Sequence, residues 1–173
     1  METTRNNLPQ HINIYFNKLS TYLETQLYFF GSVQRIDYLE RESDIDTVIF
    51  TDNMDSMLSK IQNFLNIDRR RINSFVSTEI KTGRVHNGYK VMYSGDDIDF
   101  IFEIVIYDSN CKPEMLAFYE TVNNIPAYAS LLLLLLKYMK RYYVISQNTY
   151  FALKKQVFKL VLPNQWQLVV LSY

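Results

Sequence analysis

The sequence is poor in cysteine and histidine, and these shortages exclude several classes of protein. Cys111 is the single cysteine among 173 residues, so no intrachain disulfide can form and no disulfide-linked partner is expected. A reducing, cytoplasmic compartment is the natural setting for such a chain. The two histidines, His11 and His86, stand apart and lack the spacing of a zinc site.

Long apolar runs are missing as well. The longest run, residues 125–136, is too short to span a bilayer and leads into Lys137 and Lys140, so it predicts a buried helix. The first residues contain no apolar stretch of the kind that a secretory signal requires. We therefore expect a protein that neither crosses a membrane nor carries such a signal.

Negative charge is absent from the last third of the chain. Residues 1–120 hold all eighteen acidic side chains and twelve Lys or Arg, whereas residues 121–173 hold six Lys or Arg and no acid. The formal net charge is zero, which argues against a protein that coats nucleic acid. An acidic part joined to a basic part suits a polyphosphate bound between them.

The order of predicted elements indicates an α/β protein of the α+β kind. The predicted helices are residues 9–27, 53–67, 113–122, 127–144 and 148–162, and the predicted strands are 27–30, 44–50, 73–80, 89–93 and 97–107, followed by a strand-like tail at 165–173. We expect a mixed sheet flanked by helices in a core at residues 1–110. A helical C-terminal part at 111–173 packs on this core, either as a second part or within one single domain.

Two short motifs stand close together near the start of this predicted core. An apolar run ends at Gly31-Ser32, and a second run opens with the sequence Ser-Asp-Ile-Asp at residues 43–46. Gly31 permits a tight turn and brings backbone N–H groups close to whatever lies beyond the strand. Asp44 and Asp46 are two residues apart on a predicted strand, so both carboxylates project from one face. Two acids that face a Gly-Ser turn predict a cradle for a metal-bound triphosphate.

This pattern resembles that of DNA polymerase β-like nucleotidyltransferases, which carry Gly-Ser, a spacer of about a dozen residues and then Asp-x-Asp before an apolar run. The resemblance implies that Asp44 and Asp46, with a third acid from a later strand, hold two Mg²⁺ or Mn²⁺ ions. It also implies that Gly31 and Ser32 bind the terminal phosphates of an incoming nucleotide. In one departure, many small members carry a further Gly shortly after Gly-Ser, and residues 34–36 contain none.

The third acid is predicted on the strand at residues 97–107. Its two-residue period places Asp97, Asp99 and Glu103 on one face, opposite an apolar face. The family pattern needs an acid between apolar residues on a strand next to the Asp-x-Asp strand, and Asp99 fits it best. Asp97 and Glu103 are the alternatives. The simpler explanation of the alternating acids is a half-exposed strand that presents them to solvent and binds no metal.

Lys137, Lys140 and Arg141 share one face of a predicted helix, because they fall at positions i, i+3 and i+4. They are the predicted nucleotide-binding cations, which would meet the β and γ phosphates. The helix dipole also favours cations near a helix C-terminus without any ligand. The three lysines of the next helix, among them Lys154, are secondary candidates.

The sequence thus predicts an enzyme that moves a nucleoside monophosphate from a Mg-NTP to an acceptor hydroxyl and releases pyrophosphate. ATP is the expected nucleotide. The neutral net charge favours a small molecule or a protein as the acceptor over RNA. Two alternatives stay open: a non-catalytic domain that keeps this fold to bind a nucleotide or a partner, and a template-independent enzyme that acts on RNA 3′ ends.

Overall fold

One mixed sheet of six strands runs through the part of the chain that the computed structural model describes, residues 2–79, 83–95, 97–162 and 166–171. Its strands are β1 (Tyr28–Phe30), β2 (Ile45–Thr51), β3 (Ile72–Glu79), β4 (Val85–Tyr93), β5 (Phe102–Asp108) and β6 (Trp166–Leu171). They lie in the order β1-β2-β5-β4-β3-β6. β2 and β5 pair in parallel, and the other neighbours pair antiparallel. Both members of this central parallel pair are buried along most of their length, as parallel strands usually are.

The helices of the described residues are α1 (Gln10–Leu23), α2 (Met54–Leu65), α3 (Lys112–Asn123), α4 (Ala127–Arg141) and α5 (Gln147–Val161). Local signals set their ends. α2 begins where Asn53 Oδ1 accepts a hydrogen bond from the Ser56 N–H at 3.1 Å, and it ends at Asn66, whose φ of 49° is left-handed. α5 begins where the Ser146 hydroxyl accepts from the Thr149 N–H at 3.2 Å. No helix in the described ranges is both long and apolar enough to cross a membrane.

Apolar side chains pack on both faces of the sheet. On one face, α1 and α2 cover buried strand residues that include Ile45 and Phe102. On the other face, α3 covers Val48 and Val105. Because side chains alternate along a strand, Asp46 lies on the α3 face.

β5 begins at Phe102, later than the sequence pattern predicts. Ahead of it the Ile98 N–H donates to the Gly95 carbonyl at 3.3 Å, in a turn that lies outside the sheet. Pairing with β2 starts only at Phe102. The predicted strand is therefore wrong over residues 97–101, because the chain forms a turn there and pairs with β2 only from Phe102 onwards.

The mixed α+β fold that the sequence predicts is confirmed. α4 and α5 pack against each other around a small core that contains Ala129, Leu133 and Phe158. After α5 the chain returns to the sheet, where β6 pairs antiparallel with β3. The described C-terminal part thus contains three helices, the last of which ends at Val161, and it contributes β6 to the sheet. Its separation from the core at residues 110 and 111 stays a prediction.

Candidate active site

β1 ends in a turn that depends on Gly31. Its φ of +77° lies in the left-handed region, and a Cβ at this position would overlap the carboxylate of Asp46. The Gly31 N–H donates to Asn123 Oδ1 at 3.0 Å, which ties the turn to the end of α3. The structure therefore brings the Gly-Ser turn and the second acid of Asp-x-Asp into direct contact.

The next residue, Ser32, has a buried hydroxyl. Its Oγ is buried, and no described residue forms a hydrogen bond with it. Leaving a buried polar group unpaired costs about 1–3 kcal/mol. A ligand oxygen bound at the Gly-Ser turn would recover that free energy, so this hydroxyl fits a site for an oxygen-rich ligand.

Acidic side chains gather at the start of the central parallel strands. Asp46 on β2 stands directly opposite Glu103 on β5, and neighbouring strands lie about 4.8 Å apart. Asp44 immediately precedes β2. Burial raises the pKa of Asp46 well above its usual value, and the charges of Asp44 and Glu103 raise it further. Burial also raises the pKa of Glu103. A bound cation would relieve this crowding of poorly solvated negative charge.

Asp99, the predicted third acid, lies away from this group. Its side chain is 57% exposed, and its Oδ1 lies 2.9 Å from His11 Nε2 on α1. This hydrogen bond lowers the pKa of Asp99. Asp97, one of the two alternatives, accepts a hydrogen bond from the Tyr93 hydroxyl at 2.9 Å. The structure therefore places Asp99 outside this group and Glu103 within it, because β5 begins only at Phe102.

Oxygen donors at this position suit Mg²⁺ or Mn²⁺, which prefer carboxylates. Among the described residues, no three Asp, Glu, His or Cys side chains converge into a ready metal site. Glu103 is engaged in an ion pair, since its Oε2 lies 2.6 Å from Lys90 Nζ on β4. The chemistry of Asp44, Asp46 and Glu103 nevertheless fits a divalent cation, and the crowded charge on Asp46 favours one.

Lys137, predicted to meet phosphate, is largely buried in a hydrogen-bonded network around Asp37. Its Nζ donates to the Asp37 carbonyl at 2.6 Å and to the Ser43 hydroxyl at 2.7 Å, and it lies 3.4 Å from Asp37 Oδ2. The side chain is 11% exposed, and burial lowers the pKa of Lys137. Lys137 thus fastens α4 to the segment that leads into Asp44.

Arg35 extends this network on the other side of Asp37. Its Nε donates to Asp37 Oδ1 at 2.8 Å, its second guanidinium nitrogen donates to Oδ2 at 3.2 Å, and both side chains are almost fully buried. Another nitrogen of the guanidinium donates to the Val122 carbonyl at 3.2 Å. The network holds the spacer between the two motifs, and no motif or periodicity in the sequence pointed to Arg35 or Asp37.

The other two predicted cations lie near the end of α4. Lys140 Nζ stands 5.3 Å from the centre of the Tyr150 ring, within the range of a cation–π contact. Arg141 Nε lies 3.9 Å from Glu42 Oε1, and its side chain is half exposed. Lys140 therefore faces α5, whereas Arg141 forms an ion pair at the surface.

α5 contributes two side chains to this region, Tyr150 and Lys154, of which Lys154 was a secondary candidate in the sequence. Tyr150 is buried, and burial together with the charge of Asp44 raises its pKa to about 12. Lys154 Nζ lies 6.0 Å from the centre of the Tyr150 ring. Its positive charge opposes the effect of burial on Asp46 and Glu103, so it partly offsets the rise in the pKa of each. The signal in the sequence was the i, i+4 spacing of Tyr150 and Lys154 within the acid-free segment.

Comparison with known proteins gives one family match. Residues 12–90 match the family described as "Nucleotidyltransferase domain", a stretch that includes the Gly-Ser and Asp-x-Asp motifs and ends at Lys90. No curated protein sequence matches the chain.

Among solved structures, terminal uridylyl transferase 4 from Trypanosoma brucei is similar. Its complex with CTP matches with a TM-score of 0.35 and 14% identity, over 77% of this chain and 54% of that one. Its complex with UTP and UMP matches with a TM-score of 0.33 and 16% identity, over 76% and 54% of the two chains. This chain spans about half the length of those structures, and a likeness at these TM-scores carries no argument about substrate.

Proposed function

Since residues 12–90 match the family of nucleotidyltransferase domains, we propose that the protein moves a nucleoside monophosphate from a nucleoside triphosphate to an acceptor hydroxyl and releases pyrophosphate. The observation that carries this proposal is the close packing of the Gly31 turn on Asp46, with Glu103 opposite Asp46 on the neighbouring strand. The acids and the turn that the chemistry needs thus lie at one end of the central strands.

Asp44, Asp46 and Glu103 would hold Mg²⁺ or Mn²⁺, with two ions expected. When bound, such a cation lowers the pKa of the attacking hydroxyl and offsets the charge on the leaving pyrophosphate. The backbone of Gly31 and the unpaired hydroxyl of Ser32 bind the terminal phosphates in this proposal. Little covalent chemistry is left to the protein, since positioning and charge do most of the work.

Cations of the C-terminal helices supply the remaining counter-charge. Lys154 acts on the acids from α5, and Lys140 stands beside the same Tyr150 ring, so these two are proposed to face the triphosphate. Lys137 has a different role. Its bonds to Asp37 and the segment before Asp44 make it a positioning residue.

ATP is proposed as the nucleotide, and a small molecule or a protein as the acceptor. CTP, GTP and UTP are tested beside ATP. Purified protein is incubated with each α-labelled NTP, with Mg²⁺ or Mn²⁺, and with separate small-molecule, protein and RNA fractions of a cell extract.

We expect label to enter the small-molecule or protein fraction, and Asp46→Asn to abolish the transfer. Asp99→Asn is the matched control, because it makes the same chemical change at an exposed acid outside the site. Label in RNA alone would assign the acceptor to RNA 3′ ends. No label with any nucleotide in any fraction would leave the non-catalytic binding domain as the function.

A further inference from the structure

Lys90 touches the site and has no part in the proposed chemistry. It lies on β4 opposite Val105, and its side chain crosses diagonally to Glu103, where Nζ meets Oε2 at 2.6 Å. Glu103 is buried, and the Lys90 side chain is 32% exposed. A charge-assisted hydrogen bond of this length, partly shielded from water, is among the stronger kinds of polar contact.

The Lys90 ammonium group forms an ion pair with a carboxylate that a divalent cation would need as a ligand. A divalent ion bound to Glu103 would meet the fixed positive charge of Lys90 at short range, in surroundings that screen it less than water does. Asp46, directly across on β2, has no such ion pair among the described residues. Within the described part of the chain, Glu103 is therefore the acid of this group whose charge is already balanced by an ion pair.

We infer that Lys90 is a built-in competitor of the divalent cation for Glu103, and that it sets how tightly the nucleotide-free protein binds that cation. The inference rests on the proposed function, because it takes Asp44, Asp46 and Glu103 to be the ligands. Lys90 stabilises the metal-free site, and cation binding becomes strong only when a ligand with several negative charges, such as a triphosphate, enters beside it.

Lys60 provides a matched control elsewhere in the chain. Its Nζ also lies 2.6 Å from a carboxylate oxygen, that of Glu24, and its side chain is 33% exposed. This pair joins α2 to the end of α1, away from the acids of the site. Lys60→Met therefore removes the same charge and an ion pair of the same length as Lys90→Met, at a carboxylate that is exposed and not buried.

The test is a titration of the nucleotide-free protein with Mn²⁺, in which EPR follows the free ion. We expect Lys90→Met to lower the Kd for Mn²⁺ about tenfold, and Lys60→Met to leave it within about twofold of wild type. Lys90→Arg keeps the charge and should retain the wild-type Kd. Lys90→Gln, which keeps a donor for Glu103, serves as a second neutral variant, and circular dichroism checks that each variant is folded.

An unchanged or weaker affinity in the neutral Lys90 variants would overturn the inference, and so would an equal gain in Lys60→Met. Asp46→Asn separates the inference from the proposed function. If Asp46→Asn binds Mn²⁺ as wild type does, both fail. If neither wild type nor Lys90→Met binds Mn²⁺, the inference alone fails, because the proposed function needs the cation only together with the nucleotide. If Asp46→Asn loses binding while Lys90→Met matches wild type, the assignment of Lys90 alone fails.

Discussion

Gly31→Ala tests the contact on which the proposed site depends. At a φ of +77°, an alanine loses about 1–2 kcal/mol relative to glycine because its Cβ crowds the backbone. The new Cβ also overlaps Asp46 Oδ2, and forcing an extra carbon into a packed site costs about 1–3 kcal/mol more. We expect the free energy of unfolding to fall by about 2–5 kcal/mol. The transfer rate should fall roughly 100-fold or more, since a shift of about 1 Å in a catalytic group has that effect.

Gly83→Ala is the matched control for this change. Its φ of +69° is also left-handed, but no atom of the described residues lies within 4 Å of the place where its Cβ would be. It should lose only the backbone part, about 1–2 kcal/mol, and keep the wild-type rate. Urea unfolding gives the free energies, and initial rates per folded molecule give the activities. Equal losses of stability and rate in the two variants would refute the idea that Gly31 is packed against Asp46.

Three further predictions concern the charged groups of the site. Asp46→Asn abolishes transfer, yet in urea the metal-free variant should be at least as stable as wild type at pH 7. The folded protein raises the pKa of Asp46, so ionising this carboxyl costs wild type stability that the Asn variant does not lose. The stability gain of Asp46→Asn should therefore be absent below about pH 4 and grow as the pH rises from there through the raised pKa of Asp46. A variant less stable than wild type at pH 7 would contradict this prediction. Glu103→Gln should slow transfer by about two orders of magnitude or more and Asp99→Asn by less than about threefold, and a larger loss in Asp99→Asn than in Glu103→Gln would return the third-acid role to Asp99. Lys137→Met should lower the free energy of unfolding by about 2–4 kcal/mol by opening a buried ion pair, whereas Arg141→Ala should change it by less than about 1 kcal/mol.

The sequence by itself determined the parts of the site that depend on local spacing. A Gly-Ser turn that ends one buried strand and an Asp-x-Asp pair at the start of the next are both visible in a short stretch, and the structure brings Gly31 against Asp46. The start of α2 was predictable for the same reason, since Asn53 caps it through Ser56, three positions later; α5 begins at Gln147, one residue before its predicted start. The mixed fold follows from the order of these local patterns.

Only the tertiary structure decided which later acid accompanies Asp46. A two-residue period cannot distinguish Asp97, Asp99 and Glu103, because all three would share one face of a strand. The choice depends on where β5 begins to pair with β2, and the turn ahead of Phe102 sets that point.

The roles of the lysines were decided in the same way. The Lys137 ammonium is buried by contacts to residues about 100 positions earlier in the chain, and the contact between Lys90 and Glu103 depends on the register of β4 against β5. Contacts between residues so distant in sequence leave no trace in local spacing, so the folded chain alone assigns these side chains their partners.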